Sequence, residues 1–92
     1  MIAFSFVYTE ETPIIITGCP SNITRFVYQN EGEFVTWQEP SASGEGIGPP
    51  ERSHIPGEDF FYVGNLTEVT YTFGNSSSCV FTVLVMEGKK IV

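Results

Sequence analysis

Leu66-Thr67-Glu68-Val69-Thr70-Tyr71-Thr72-Phe73 and, after Gly74-Asn75-Ser76-Ser77, the run Ser78-Cys79-Val80-Phe81-Thr82-Val83-Leu84-Val85-Met86 decide the fold. In the first run Val69, Tyr71 and Phe73 alternate with Glu68, Thr70 and Thr72. A period of two sends successive side chains to opposite faces of a strand, so the apolar set lines one face. In the second run Cys79, Phe81, Val83 and Val85 alternate with Val80, Thr82, Leu84 and Met86. The second set is partly apolar too, so both faces of this strand are candidates for cover. Gly74-Asn75-Ser76-Ser77 supplies the tight turn of an antiparallel hairpin.

Working outward, Phe60 to Val63 reads as a strand bounded by Pro56-Gly57 and Gly64. Glu33 to Glu39 reads as another, with Val35 and Trp37 on one face and Phe34 and Thr36 on the other. Pro40 ends it, because proline has no N–H for a ladder. Ile14 to Thr17 and Ile23 to Gln29 are two more, separated by Cys19-Pro20-Ser21. Residues 40 to 50 form a long surface loop. Its alternating glycines resemble a phosphate-cradling loop only superficially, since they lack a strand-to-helix setting and a lysine. No window keeps apolar residues at helical spacing for three turns. The pattern predicts an all-β, antiparallel β-sandwich of about seven strands.

The chain has 92 residues, the size of one domain. Apolar residues make up 41% and aromatics 14%, which excludes intrinsic disorder. Eleven acidic residues against four Lys and Arg give a net charge of −7. That charge opposes binding to a phosphate backbone or an anionic bilayer, so neither nucleic acid nor membrane insertion is expected. No apolar run approaches the roughly 18 residues of a membrane span. The apolar opening Met1 to Tyr8 lacks a basic start and a small-residue cleavage site, so it does not read as a signal peptide.

The two cysteines, Cys19 and Cys79, allow one intramolecular pairing. Two buried free thiols in a reducing compartment are the alternative. Tetrahedral metal coordination is disfavoured, because two distant cysteines and the lone His54 do not make four ligands. A disulfide is the favoured reading, and it would close a long loop in a small domain that gains from such a staple. Asparagine usage points the same way. Of four asparagines, Asn22, Asn65 and Asn75 head Asn-X-Ser/Thr triplets, the acceptor pattern for N-glycosylation in an oxidising compartment.

Cys19-Pro20-Ser21-Asn22-Ile23 followed by Val35-Thr36-Trp37-Gln38-Glu39-Pro40 resembles the front half of a hyalin repeat, or HYR domain. Ser53-His54, Pro56-Gly57, Phe60-Phe61 and Val63-Gly64 resemble its middle. Val69-Thr70-Tyr71-Thr72, Gly74-Asn75 and Cys79-Val80-Phe81-Thr82-Val83 resemble its end. The resemblance covers about residues 13 to 87 of the chain. It implies an immunoglobulin-like sandwich in an extracellular mosaic protein, secreted or on a cell surface, associated with adhesion and without catalytic activity or cofactor. The family's two cysteines would correspond to Cys19 and Cys79. Two departures stand out. The acid that often precedes the Gly-Asn turn is Phe73 here, and the loop after Pro40 carries Ser43-Gly44-Glu45-Gly46 in place of an Asp-Asn pair.

Phe4-Ser5-Phe6-Val7-Tyr8-Thr9-Glu10 echoes Phe81-Thr82-Val83-Leu84-Val85-Met86-Glu87, and Ile14 and Ile91 each lie four residues past the glutamate. Residues 1–12 are therefore either an added first strand of this sandwich or the trailing strand of a preceding module. Against the second reading, Ile2 stands where the echo asks for cysteine. Residues 13–87 form the HYR domain and 88–92 a tail or linker.

Ser53, His54 and Asp59 invite a catalytic-triad reading. They are close in sequence, and neighbours on a strand point to opposite faces, so no enzyme is expected. Glu45, Glu51, Glu58 and Asp59 are solvated charges in preference to a calcium site, since calcium wants an Asp-rich set and the chain has a single Asp. Outward aromatics are the residues to watch. Phe26, Tyr28, Phe34, Phe60 and Phe61 are candidates for a contact surface, while Trp37 reads as core. The expected role is a protein-interaction module whose partners are extracellular proteins or neighbouring modules. The alternatives are a structural spacer kept inert by sugars and, third, a carbohydrate or small-ligand binder.

Overall fold

Leu66–Phe73 and Ser77–Glu87 pair antiparallel, from Phe73 opposite Ser77 to Leu66 opposite Leu84. The computed structural model describes residues 14–44, 46–74 and 77–88. Residues 1–12, Asn75 and the tail past Gly88, each given a reading above, lie outside them.

The described residues hold eight strands: β1 Ile15–Thr17, β2 Ile23–Val27, β3 Gly32–Phe34, β4 Ser41–Ser43, β5 Glu51–Arg52, β6 Phe60–Tyr62, β7 Leu66–Phe73 and β8 Ser77–Glu87. One sheet runs β2-β8-β7-β5. Two-stranded sheets β3-β6 and β1-β4 complete the all-β, immunoglobulin-like sandwich. The β3-β6 pair packs across the core onto the large sheet: the Trp37 ring meets Phe81 at 5.4 Å and Phe61 at 6.1 Å, both edge to face.

The alternation read from β7 and β8 is the core. Val69, Tyr71, Phe73, Cys79, Phe81, Val83 and Val85 are all buried, joined by Val27, Val35 and Phe61. Only one face of β8 is covered. On the other, Val80 and Met86 are about half exposed, which answers the question left by its partly apolar second set.

Three features differ from the sequence expectation. The segment from Glu33 to Glu39 is strand only as far as Phe34, because the Val35 carbonyl accepts the Gly57 N–H at 2.9 Å from a turn, not from a neighbouring strand. The loop 40–50 contains β4, which pairs antiparallel with β1, and β5 follows it directly. Such short strands carry no periodic signal of their own. Lastly, β2 pairs parallel with β8, with Ile23 opposite Val83 and Val27 opposite Glu87, and Val63 makes a parallel bridge to Val85.

The disulfide Cys19–Cys79 lies in line with that pairing. It ties the segment between β1 and β2 to the start of β8, and the Asn22 side-chain oxygen accepts the Thr82 N–H at 3.0 Å three residues further along each chain. The disulfide, this hydrogen bond and the β2-β8 ladder share one register, each pairing residues sixty apart.

The two limits of the described fold lie at opposite ends of β8. Ile14 sits beside Gly74 at the hairpin turn, where a Cβ on Gly74 would come within 3.0 Å of it. Gly88 lies at the far end, its N–H bonded to the Val27 carbonyl at 2.8 Å. Eleven strand residues separate them, about 35 Å at the usual rise per residue.

Candidate contact surface

The outward face of the β3-β6 sheet is aromatic. Phe34 and Phe60 are cross-strand partners, and Tyr62 follows two residues along β6 on the same face. Phe34 meets Phe60 at 5.0 Å and Phe60 meets Tyr62 at 5.0 Å, each edge to face, the favoured geometry for aromatic rings. Phe34 is 60% exposed, Tyr62 55% and Phe60 37%. Gly32, opposite Tyr62, makes the ladder possible: a Cβ there would lie 2.7 Å from the Phe60 ring and 2.1 Å from the Phe61 carbonyl oxygen.

A second apolar group lies on the outer face of the large sheet. Phe26 is opposite Met86 and Leu66 opposite Leu84, so the four side chains span three adjacent strands on one face. Phe26 and Leu66 are well exposed and Met86 partly so. Tyr28, beyond the end of β2, lies across Gly88.

Of the five aromatic candidates, Phe26, Tyr28, Phe34 and Phe60 face solvent. Phe61 does not. It is 2% exposed and packs against Trp37, because strand alternation turns the middle ring of Phe60-Phe61-Tyr62 into the core. Tyr62 is the member that the sequence reading missed. Three consecutive rings announce that at least one points outward, and alternation makes that two once the inward ring is known. Glu33, opposite Phe61, turns inward as well and keeps its Oε2 buried without a hydrogen-bond partner.

Beneath these surfaces runs a polar chain. The Trp37 indole N–H donates to the Tyr71 hydroxyl at 2.8 Å, and that hydroxyl donates to Glu39 Oε2 at 2.8 Å. Arg52 Nη1 donates to the same oxygen at 2.9 Å. The Arg52 hydrogen bond, followed by that from Tyr71, holds the Glu39 carboxyl below its usual 4.5. Burial pushes the Tyr71 hydroxyl up to about 12; the Trp37 hydrogen bond opposes the rise and the Glu39 hydrogen bond adds to it. The chain lets a buried tyrosine and a half-buried tryptophan satisfy their polar atoms, as buried polar groups must.

Ser53, His54 and Asp59 are placed differently from a triad. Ser53 and His54 follow β5 and are not opposed across a strand, as had been expected. Ser53 Oγ shares a hydrogen bond of 2.7 Å with His54 Nδ1 and accepts the Thr70 N–H at 2.8 Å. The turn frees the two side chains to meet, and their work is to tie this loop to β7. The Asp59 carboxylate accepts the Ile55 N–H and closes a local turn, and the His54 ring lies over Phe61. Among the described residues no group of three or more His, Cys, Asp or Glu gathers as metal ligands do. Asn22 and Asn65, two of the three glycosylation candidates, are both exposed. Asn65 stands in the turn between Tyr62, whose carbonyl its N–H meets at 3.2 Å, and Leu66.

The fold and its surfaces define a disulfide-bonded all-β module of the kind used in extracellular chains. The model of the HYR domain family matches residues 10–85, most of the chain, and the chain belongs to that family of non-catalytic extracellular modules. No curated protein and no solved structure matches it.

Proposed function

We propose that this domain is a protein-interaction module of an extracellular mosaic protein, secreted or on a cell surface, and that the Phe34–Phe60–Tyr62 ladder is its contact face. The observation that carries the reading is the exposure of three mutually packed rings on one sheet face. Monomeric proteins seldom leave such groups open without use, and aromatic anchors dominate binding energy at interfaces. Rings already held in a ladder lose little side-chain freedom on binding. A pure spacer has no need of them.

N-linked sugars at Asn22, Asn65 and Asn75 belong to the same proposal. Asn22 is exposed and uses only its oxygen toward Thr82, so the amide nitrogen, the atom that carries a glycan, is not the one engaged there. A sugar on Asn65 would border Tyr62 and Leu66 but leave Phe34 bare.

The test is recovery of a partner from cell-surface extracts by the glycosylated domain, beside the Phe34→Ser variant. Loss of the partner with the variant is the expected result. Equal recovery by both proteins would remove the ladder from the contact face and favour the spacer.

A further inference from the structure

We propose that Tyr62, Asn65 and the turn between them form a seat for the first sugar of an N-linked glycan, with the apolar face of that N-acetylglucosamine packed on the Tyr62 ring. This rests on the glycosylation of Asn65 proposed above and adds what the sugar does there: it becomes a structural part of the domain.

The sequence singles out one acceptor of the three. Asn65-Leu66-Thr67 directly follows Tyr62-Val63-Gly64, so an aromatic residue stands three positions before the asparagine. The other triplets lack this. Cys19, in the disulfide, stands three before Asn22, and Thr72 stands three before Asn75. Phe73, two before Asn75, is buried in the core.

The fold turns that spacing into a neighbour. The Asn65 N–H donates to the Tyr62 carbonyl at 3.2 Å and closes a turn of four residues. Such a turn brings its first and last Cα atoms within about 7 Å. Gly64, at the third position, has φ 86°, the left-handed conformation that a type II turn requires there. β8 pins the turn: Val63 bridges Val85, and the Gly64 N–H donates to the Val85 carbonyl at 2.8 Å. Both ends of the turn are open to solvent. Asn65 is exposed, and the Tyr62 ring, supported by Phe60, keeps 55% of its surface exposed.

The chemistry suits a sugar. N-acetylglucosamine carries its hydroxyls around the rim of the ring and presents C–H bonds on its faces. Those weakly positive hydrogens meet the negative face of an aromatic ring. Covalent attachment at Asn65 holds the sugar at high effective concentration beside Tyr62. The pinned turn is already ordered, so little freedom is lost when the two meet. The sugar covers apolar surface that the chain leaves open, and the Phe34 end of the ladder stays free for a partner.

The experiment uses the domain secreted from a eukaryotic host, with each glycan trimmed by an endoglycosidase to its first sugar. Mass spectrometry reads occupancy at Asn65. Four proteins combine Tyr62 or Tyr62→Ser with Asn65 or Asn65→Gln, and the urea midpoint is measured for each, so that the cycle isolates the coupling between ring and sugar. Asn65→Gln should lower the midpoint when Tyr62 is present and leave it unchanged beside Tyr62→Ser. Tyr62→Phe should keep the full effect, since the packing uses the ring and not the hydroxyl. Nuclear magnetic resonance of the unaltered glycoprotein should show the ring protons of the Asn65 sugar shifted upfield by the Tyr62 ring current. With Asn65 occupied, equal midpoint changes in both backgrounds or unshifted sugar protons overturn the seat and leave the glycosylation standing. An unoccupied Asn65 overturns both.

Discussion

Tyr71 carries two duties at once. Its ring is fully buried and stacks on Phe81 at 6.4 Å, while its hydroxyl links Trp37 to Glu39. Tyr71→Phe keeps the ring and strands the indole N–H in a partly buried site. Urea titration should show a loss of about 1–3 kcal/mol, the cost of an unsatisfied buried donor. The same chain sets a pH dependence at each extreme. Glu39 titrates below its usual 4.5 in the folded state. Its contribution is thus complete above that pH and is lost as the pH falls through the folded value. Tyr71 is raised from 10.0 to about 12, so its contribution is complete below pH 10 and is lost as the pH rises toward 12. Glu39 and Arg52 are both over a third exposed, so solvent screening keeps the acid effect small. Glu39→Gln should flatten the acid limb of a plot of urea midpoint against pH. An unchanged slope would assign that limb to other carboxylates.

Among the elements, β3 and β6 depend on each other through one glycine. A Cβ at Gly32 would come within 2.1 Å of the Phe61 carbonyl oxygen, which is backbone and has no rotamer to yield. Gly32→Ala should therefore cost about 1–3 kcal/mol or more by overpacking, and should disturb the aromatic ladder with it. Chemical denaturation measures the first effect and near-ultraviolet circular dichroism the second. The contrast is Phe34→Ser, which removes an exposed ring and one edge-to-face pair; its cost should stay within about 1.5 kcal/mol. β2 depends instead on the disulfide, whose cysteines are separated by 60 residues. Reduction frees a long loop in the unfolded chain, and the chain-entropy relation puts the loss at about 4 kcal/mol. Hydrogen exchange after reduction should rise first in β2, whose amides lose the anchor that sets their parallel register.

For the molecule as a whole, acceptor triplets and exposed rings compete for the same surface. Expression in a eukaryotic secretory host should add glycan mass at Asn22 and Asn65, readable by mass spectrometry before and after deglycosylation. Asn65→Gln should strengthen partner recovery if the sugar there shields Tyr62, whereas Asn22→Gln, next to the β2-β8 pairing, should leave recovery unchanged.

The sequence by itself determined the sandwich and the hairpin at its centre, and it favoured a Cys19–Cys79 bond over two free thiols, which the structure then decided. Val69, Tyr71, Phe73, Phe81, Val83 and Val85 stand at a period of two, and burying that one face admits a single register. Only the tertiary structure decided the rest. β4 and β5, at three and two residues, are too short to hold a period, and they become strands only because β1 and β7 lie beside them. The parallel course of β2 beside β8 joins segments distant in sequence, which no local pattern encodes. Alternation along Phe60-Phe61-Tyr62 is equally consistent with either phase until a core exists to choose. Packing of Phe61 against Trp37 chose it, and so placed Phe60 and Tyr62 outside, because the side a ring occupies is set by what lies across from it.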